Sequence, residues 1–357
     1  MSRIAIVGTG YVGLTAGACF AHLGHQVVCG DLDETKIAQL RQGQLPIMEV
    51  GLAELVRAGL DAGRLNFVTG AATAVEGCDV AFLCVPTPQH SDGSADTSFI
   101  ERAVREIADT LPDGAIVVNK STVPVGSTRV VSNALGREDV AVVSNPEFLR
   151  EGSAVRDFLE PDRLVIGADD QLAAEAVAAL YDGVTAPVLI TDPVSAETVK
   201  YAANAFLVTK LSFVNSIAAV CESVGADVDD VLSGLGHDRR IGSGYLRPGP
   251  GWGGSCFPKD TQSLLQMAGR AGYDFRFLDI AVAVNEEQFD RVADKVRMAV
   301  GGDLADRTVA VWGLTFKAGT DDLRDSPALA VIDRLLDAGA QVRAHDPTVV
   351  KGHPPIP

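Results

Sequence analysis

The sequence is short of positive charge. Its 357 residues hold 30 lysines and arginines against 47 aspartates and glutamates, a formal net charge of −17. Broad binding to nucleic acid or to an anionic membrane needs a basic field that releases counterions, so both are excluded as partners. One anionic small molecule held by a few local cations remains compatible. Long apolar runs are also missing: none approaches the roughly 18–20 residues expected of a membrane-spanning helix. The opening Met1-Ser2-Arg3-Ile4-Ala5-Ile6-Val7-Gly8 passes straight into a strand pattern without a small-residue cleavage site, so no signal peptide is expected. The six cysteines, at 19, 29, 78, 84, 221 and 256, include no C-x-x-C pair, and the six histidines show no zinc spacing. A disulfide scaffold and a metal centre are therefore not expected, and a reducing cytoplasm is the natural compartment. Five of the cysteines read as buried small hydrophobes; Cys256 stands in a different setting.

What is present is ordinary for a globular chain, with 47% hydrophobic and 22% charged residues, and its length implies two or three domains. Short apolar runs alternate with helical patterns over the first 190 residues. Strands are expected at Ile4–Val7, Gln26–Cys29, Val80–Val85, Ala115–Val118, Ala141–Val143, Arg163–Gly167 and Pro187–Ile190, with a first helix from Val12 to Leu23. That alternation indicates an α/β fold, a Rossmann-type doubly wound parallel sheet covered on both faces, over residues 1–193. A mostly helical region follows over 194–300. It begins with a long helix from Ala196 to Val224, whose length suits a homodimer interface, and contains a glycine-rich loop from Ile241 to Ser255. Residues 301–357 open a second Rossmann-like unit, with a strand at Arg307–Gly313, a helix from Ser326 to Ala338 and a strand at Gln341–Ala344. It then meets His353-Pro354-Pro355-Ile356-Pro357, which cannot add a central strand. A two-stranded remnant is a poor independent domain, so the chain is expected to stop short of a complete third domain.

Gly8-Thr9-Gly10-Tyr11-Val12-Gly13 lies between the first strand and the first helix, the setting in which G-x-G-x-x-G binds a dinucleotide pyrophosphate. Asp31 ends the second strand 18 residues beyond Gly13, where an acid would hydrogen-bond an adenosine ribose. Its charge would repel a 2′-phosphate, which favours NAD over NADP. The glycine spacing extends to Gly17, as in some flavin proteins, so FAD stays open at this point. Two more strand ends should face the same crevice. They carry Val85-Pro86-Thr87-Pro88 and Lys120-Ser121-Thr122-Val123-Pro124, whose hydroxyls are either turn formers or cofactor contacts.

The stretch from Pro248 to Asp260 is the most informative. Pro258 suits the first turn of a helix, which places Cys256 at or just before a helix N-terminus, where the dipole lowers a thiol pKa. Cys256 is thus the candidate nucleophile, with Lys259 as a nearby cation and Asp260 in reach for proton or water handling. Lys200 and Asn204 are spaced i,i+4, on one face of the long helix, and could together hold an oxyanion. Only eight lysines occur against 22 arginines, and Lys200, Lys259 and Lys317 all fall within motifs.

Six motifs in order carry a family resemblance. They are Gly8-x-Gly10-x-x-Gly13, Asn145-Pro146-Glu147-Phe148-Leu149-Arg150-Glu151-Gly152, Lys200-x-x-x-Asn204, Arg240-Ile241-Gly242, Gly253-Gly254-Ser255-Cys256-Phe257-Pro258-Lys259-Asp260, and Phe316-Lys317-x-x-Thr320-x-Asp322-x-Arg324-x-Ser326. The chain resembles the nucleotide-sugar 6-dehydrogenases of the UDP-glucose/GDP-mannose dehydrogenase family, its UDP-glucose branch most closely. That resemblance implies oxidation of a sugar primary alcohol to a carboxylate with two NAD+, through a thiohemiacetal and a thioester on Cys256. UDP-glucose is the implied substrate, and GDP-mannose or UDP-N-acetylmannosamine the nearest alternatives.

By the same resemblance Glu147 handles the water that hydrolyses the thioester, with Thr122 and Asp260 holding it. Lys200 and Asn204 are carried over to both catalysis and substrate binding. The implied NAD contacts are Gly8, Gly10, Tyr11, Val12, Gly13, Asp31, Lys36, Thr87, Thr122, Glu151, Lys259 and Arg324. The implied sugar-nucleotide contacts are Phe148, Leu149, Arg150, Glu151, Tyr245, Leu246, Arg247, Pro248, Gly249, Gly253 and Lys317, with Arg240 reaching across a dimer. A two-electron Rossmann dehydrogenase would need no Cys256. A silent NAD-binding module would show decay among Lys200, Asn204, Cys256 and Asp260, and none is seen.

Overall fold

Central strands of this protein are apolar over most of their length. In β1 (Arg3–Val7) the last four residues are buried, and all four residues of β4 (Val80–Leu83) are too. A strand covered on both faces reads as a continuous apolar run. Alternate residues feed two cores, one on each face: Ile4, Ile6 and Phe82 pack with Phe20 on one side, while Ala5, Val7 and Leu83 pack with Ile100 and Val117 on the other. The computed structural model describes residues 1–349 apart from Ser91, Asp92 and Ser94, so the expected proline-rich ending at 353–357 lies outside the described residues.

The remaining strands of the large sheet are β2 (Gln26–Asp31), β3 (Leu65–Thr69), β5 (Ile116–Asn119), β6 (Ala141–Ser144), β7 (Leu164–Gly167) and β8 (Val188–Thr191), in the order β3-β2-β1-β4-β5-β6-β7-β8. The order reverses between β1 and β4, and ligands of such sheets bind outside the strand carboxyl ends at that point. Two corrections to the sequence reading follow. The sheet is not wholly parallel, because β7 pairs antiparallel with β6 and β8 then runs parallel to β7. It also has a strand, β3, that the sequence reading missed: at the sheet edge it buries Leu65 and Phe67 but exposes Asn66 and Thr69.

The chain divides into two compact units, Met1–Lys200 and the residues from Tyr201 onward. One helix, Pro193–Val224, runs through that boundary, starting three residues before the expected Ala196. By length and composition alone it would pass as a membrane span, with an 18-residue window of mean hydropathy 1.4, so the expectation that nothing approaches that length is corrected. Several of its polar residues are nonetheless buried in the protein. Glu197 is buried in the first unit, where its carboxylate accepts hydrogen bonds from Gly126 N and from Thr128 N and Oγ1. Ser212 and Asn215 are buried in the second. Phe206, Phe213, Val220 and Val224 leave an apolar stripe exposed.

The second unit continues with helices Val228–Gly236, Phe257–Arg270 and Arg276–Ala299. It then forms β9 (Thr308–Trp312), a helix Pro327–Asp337 capped by Ser326, and β10 (Gln341–His345), which pairs parallel with β9.

Candidate active site

The turn after β1 is built on glycines for steric reasons. Gly8 has φ +98°, and a Cβ there would lie 2.6 Å from the carbonyl oxygen of Cys84; at Gly13 a Cβ would lie 1.9 Å from Gly8 O. Gly10 is the N-cap of helix Tyr11–His22 and differs from both, since among the described residues no atom stands within 4 Å of where its Cβ would be. Open space at an uncapped helix N-terminus with no acid in its first turn fits a pyrophosphate. Asp31 at the end of β2 completes the turn. Its Oδ2 accepts from Thr9 N (2.9 Å), Thr9 Oγ1 (2.6 Å) and Lys36 Nζ (2.7 Å), and its Oδ1 accepts from Asp33 N (3.1 Å). Burial alone would raise the Asp31 pKa, but the donors of Lys36, Thr9 and Asp33 outweigh it and hold the carboxyl at about 2. Thr9 was not singled out from the sequence; its place inside the glycine motif was the available signal.

Three residues after β6, Glu147 is buried. Its Oε1 accepts from Lys200 Nζ at 2.7 Å and its Oε2 from Leu149 N at 2.6 Å. Burial disfavours the carboxylate, yet the adjacent ammonium and these hydrogen bonds prevail and keep its pKa below the ordinary value. Phe148 lies under two cations, with Arg163 Cζ 3.8 Å and Lys200 Nζ 5.7 Å from its ring centroid. Leu149 packs against the first core, and Arg150 forms a fork with Asp157 (2.5 and 3.0 Å). Glu151 and Thr122 are half-buried in loops, as is Thr87. Lys120, beside Ser121 and Thr122, is buried, donating to Asn145 Oδ1 and to Tyr181 Oη.

In the second unit Cys256 is the N-cap of helix Phe257–Arg270, with Pro258 in the first turn, as expected. It is half-buried, whereas Cys19, Cys29, Cys78, Cys84 and Cys221 are all buried. Ser255 Oγ lies 3.7 Å from its Sγ. Asp260 is buried, accepting from Asn204 Nδ2 (2.6 Å) and Lys259 Nζ (2.7 Å). Lys200 and Asn204 thus reach different carboxylates, Glu147 and Asp260, although one helical turn separates them.

Side-chain amides that the sequence reading passed over hold the loop leading to Cys256. Asn285 clamps Trp252, accepting from its N–H (2.8 Å) and donating to its carbonyl (2.9 Å). Asn215 accepts from Gly249 N, and Gln288 donates to Gly249 O. Gly253 packs on Asp325 O so closely that a Cβ would lie 1.8 Å away.

The remaining expected substrate and cofactor residues are looser. Tyr245 has φ 59°, Arg247 is exposed and Pro248 is half-buried, while the Leu246 side chain packs into a small core with Val214 and Leu232. Arg240 is 89% exposed and forked onto Asp238, Arg324 is forked onto Asp322, and Lys317 Nζ stands 5.3 Å from the Phe316 ring centroid.

Comparison with known proteins agrees with these motifs along the whole chain. Three models of the UDP-glucose/GDP-mannose dehydrogenase family match: the NAD binding domain over residues 2–185, the central domain over 194–287 and the UDP binding domain over 310–355. The UDP-glucose 6-dehydrogenase of Rhizobium meliloti is 49% identical over 97% of this chain and 81% of its own length. Among solved structures, a UDP-glucose dehydrogenase from Pyrobaculum islandicum shares 41% identity with a TM-score of 0.92, covering 97% of this chain and 82% of that one. A UDP-D-ManNAc dehydrogenase from Pyrococcus horikoshii shares 30% identity with a TM-score of 0.88, covering 99% and 85%. With every one of its three family models matched and a relative at 49% identity, the chain belongs to the UDP-glucose/GDP-mannose dehydrogenase family of NAD-dependent nucleotide-sugar dehydrogenases.

Proposed function

We propose that this protein oxidises the C6 alcohol of UDP-glucose to the carboxylate of UDP-glucuronate, with Cys256 as the covalent nucleophile. The observation that carries the reading is the place of Cys256, a half-buried thiol at a helix N-terminus, one helical turn before the buried Asp260, which holds Asn204 and the half-buried Lys259. NAD+, whose pyrophosphate the Gly8–Gly13 turn fits, supplies the hydride acceptor for each of two oxidations. An aldehyde has no carbinol hydrogen to give until a nucleophile adds to it. The Cys256 thiolate adds to the aldehyde carbon to form a thiohemiacetal, which after the second oxidation is a thioester. Water then displaces the thiol. Overall one alcohol, one water and two NAD+ become one carboxylate, two NADH and three protons.

In this reading Glu147, held ionised by Lys200, takes a proton from the attacking water, with Thr122 beside it. The Lys200 ammonium, already in place, stabilises negative charge developing on the sugar oxygen, and Asn204 and Asp260 orient the thiol loop. Lys36 and Asp31 hold the adenosine ribose, and Thr87, Glu151, Lys259 and Arg324 complete the cofactor contacts. Phe148, Leu149, Arg150, the Tyr245–Gly249 loop, Gly253 and Lys317 receive the sugar nucleotide. The exposed apolar stripe of helix Pro193–Val224 pairs two subunits, and Arg240 serves the neighbouring site. Five buried free cysteines suit a reducing compartment such as the cytoplasm. UDP-glucose is preferred to the sibling sugars because relatives named for it are 39–49% identical, against 33% for a GDP-mannose enzyme and 30% for the UDP-D-ManNAc enzyme.

The test is the NADH formed per UDP-glucose consumed by the parent and by Cys256→Ala. Two per sugar in the parent, with the second oxidation lost in the variant, supports the reading. One per sugar in both removes the thioester. Turnover of GDP-mannose in place of UDP-glucose reassigns the substrate.

A further inference from the structure

Glu49 lies outside every motif described above, between helices Glu34–Arg41 and Leu52–Asp61, yet it is 8% exposed. Its Oε2 accepts hydrogen bonds from Tyr11 Oη and from Gly152 N (2.7 Å), and its Oε1 accepts from Ala154 N (3.0 Å). Gly152 N also lies 2.9 Å from Tyr11 Oη, so the three groups form a closed triangle. Tyr11 is the first residue of the helix that leaves the glycine turn. Gly152 directly follows Glu151 in the loop that starts at Glu147. One buried carboxylate therefore joins two loops 141 residues apart in sequence, the one that fits a pyrophosphate and the one that carries Glu147 and Glu151. The far side of the second loop is fastened separately, by the Arg150–Asp157 fork. Burial is the main cause that raises the Glu49 pKa, with the Asp157 charge adding to it, and the backbone donors of Gly152, Ala154 and Val50 oppose both.

We infer that Glu49 is a positioning residue for dinucleotide binding: by holding Tyr11 against Gly152 it fixes the distance between the pyrophosphate turn and the Glu147–Gly152 loop. This rests on the placement of NAD under the proposed function. A dinucleotide is long enough to touch both loops, and it binds best when their separation is set beforehand, because ordering them on binding would cost affinity. The geometry asks for a carboxylate. All its partners are donors, and an amide offers one acceptor oxygen and one donor nitrogen, so Glu49→Gln turns a donor toward either Gly152 N–H or Ala154 N–H. Aspartate is one methylene too short to span Tyr11 and both amides.

The experiment measures NAD+ affinity by calorimetry without sugar, for the parent, Glu49→Gln, Tyr11→Phe and the double variant. UDP-glucose affinity, Tm and amide deuterium exchange at residues 152–154 are followed alongside. Glu49→Gln is expected to weaken NAD+ binding about tenfold, the equivalent of one charge-assisted hydrogen bond, with UDP-glucose affinity unchanged within about twofold. Exchange at 152–154 should quicken before any NAD+ is added. The double variant should bind NAD+ no worse than Glu49→Gln, since both act through one contact. Unchanged NAD+ affinity in Glu49→Gln would overturn the inference, as would equal losses for both ligands accompanied by a lower Tm. If the parent makes no NADH from UDP-glucose while the NAD+ response appears as stated, the proposed function fails and the positioning role stands. If two NADH form per sugar and Glu49→Gln binds NAD+ normally, only the positioning role fails.

Discussion

Glu147 and Lys200 form an ion pair closed off from solvent, with Nζ 2.7 Å from Oε1 and each side chain 5% exposed. Such a pair is costly to break from one side, because the surviving charge is left buried without compensation. Lys200→Met should therefore lower stability by about 3–5 kcal/mol, and adding Glu147→Gln should restore much of that loss. The sign of the pH effect follows from the depressed Glu147 pKa. Its stabilisation is complete above the ordinary value of 4.5 and drains away as pH falls through the lower folded-state value. Urea unfolding of the parent and of Glu147→Gln between pH 7 and pH 3 checks this: the gap between them should close on the acid side, and a constant gap would refute it.

Asp31 supplies a second acid-labile group. Its carboxyl lies near 2 against an ordinary 3.8, so its contribution is present above 3.8 and is lost as pH falls from there toward 2. Asp31→Asn should flatten that part of the stability curve. It should also raise the NADP+ to NAD+ affinity ratio about tenfold, because the charge that repels a 2′-phosphate is gone while Lys36 stays. Titration with both dinucleotides decides it, and an unchanged ratio would show that Asp31 does not face the ribose.

The clamp on Trp252 predicts a defect in the second unit. Asn285→Ala leaves a buried N–H and a buried carbonyl without their partner, at about 1–3 kcal/mol for each group left unsatisfied. The loop that ends in Cys256 should loosen, so kcat should fall with little change in the KM for NAD+. Asn285→Asp keeps the acceptor for Trp252 N and should recover part of the rate. A variant in which kcat is intact despite the stability loss would separate the clamp from the thiol.

Much of this architecture was legible because burial on both faces writes itself as apolar runs, as in Ile4–Val7 and Val80–Leu83. The strand at Leu65–Thr69 escaped because an edge strand buries only alternate residues, and Asn66 and Thr69 break the run. The reversal at β6–β7 escaped for another reason: strand direction depends on how the connections run, which composition does not record. In the helix Pro193–Val224, spacing put Lys200 and Asn204 on one face but could not say that they would reach separate carboxylates. Glu49, Glu197, Asn215, Asn285 and Gln288 escaped because most of their partners are backbone groups of distant loops, for which no residue pairing in the sequence is a sign. Cys256 was legible through its neighbours, the glycines before it and Pro258 after it.

The six cysteines provide the most direct check on that assignment. Burial pushes the thiols of Cys19 and Cys84 up to about 12 and that of Cys78 to about 11, and Cys29 is pushed up further still. Cys221 is buried as well. Alkylation needs both a thiolate and a path for the reagent, and these five lack the path. Cys256 has one, at a helix end whose dipole favours an anion. Iodoacetamide at neutral pH should therefore add one carboxamidomethyl group per native chain, on the peptide that contains Cys256, and activity should fall in step with that label. Mass spectrometry at partial inactivation reads both quantities at once. Full labelling of Cys256 with activity retained would end its role as nucleophile, whereas labelling of a second cysteine at a similar rate would mean that the core around that cysteine opens far more often than its packing implies.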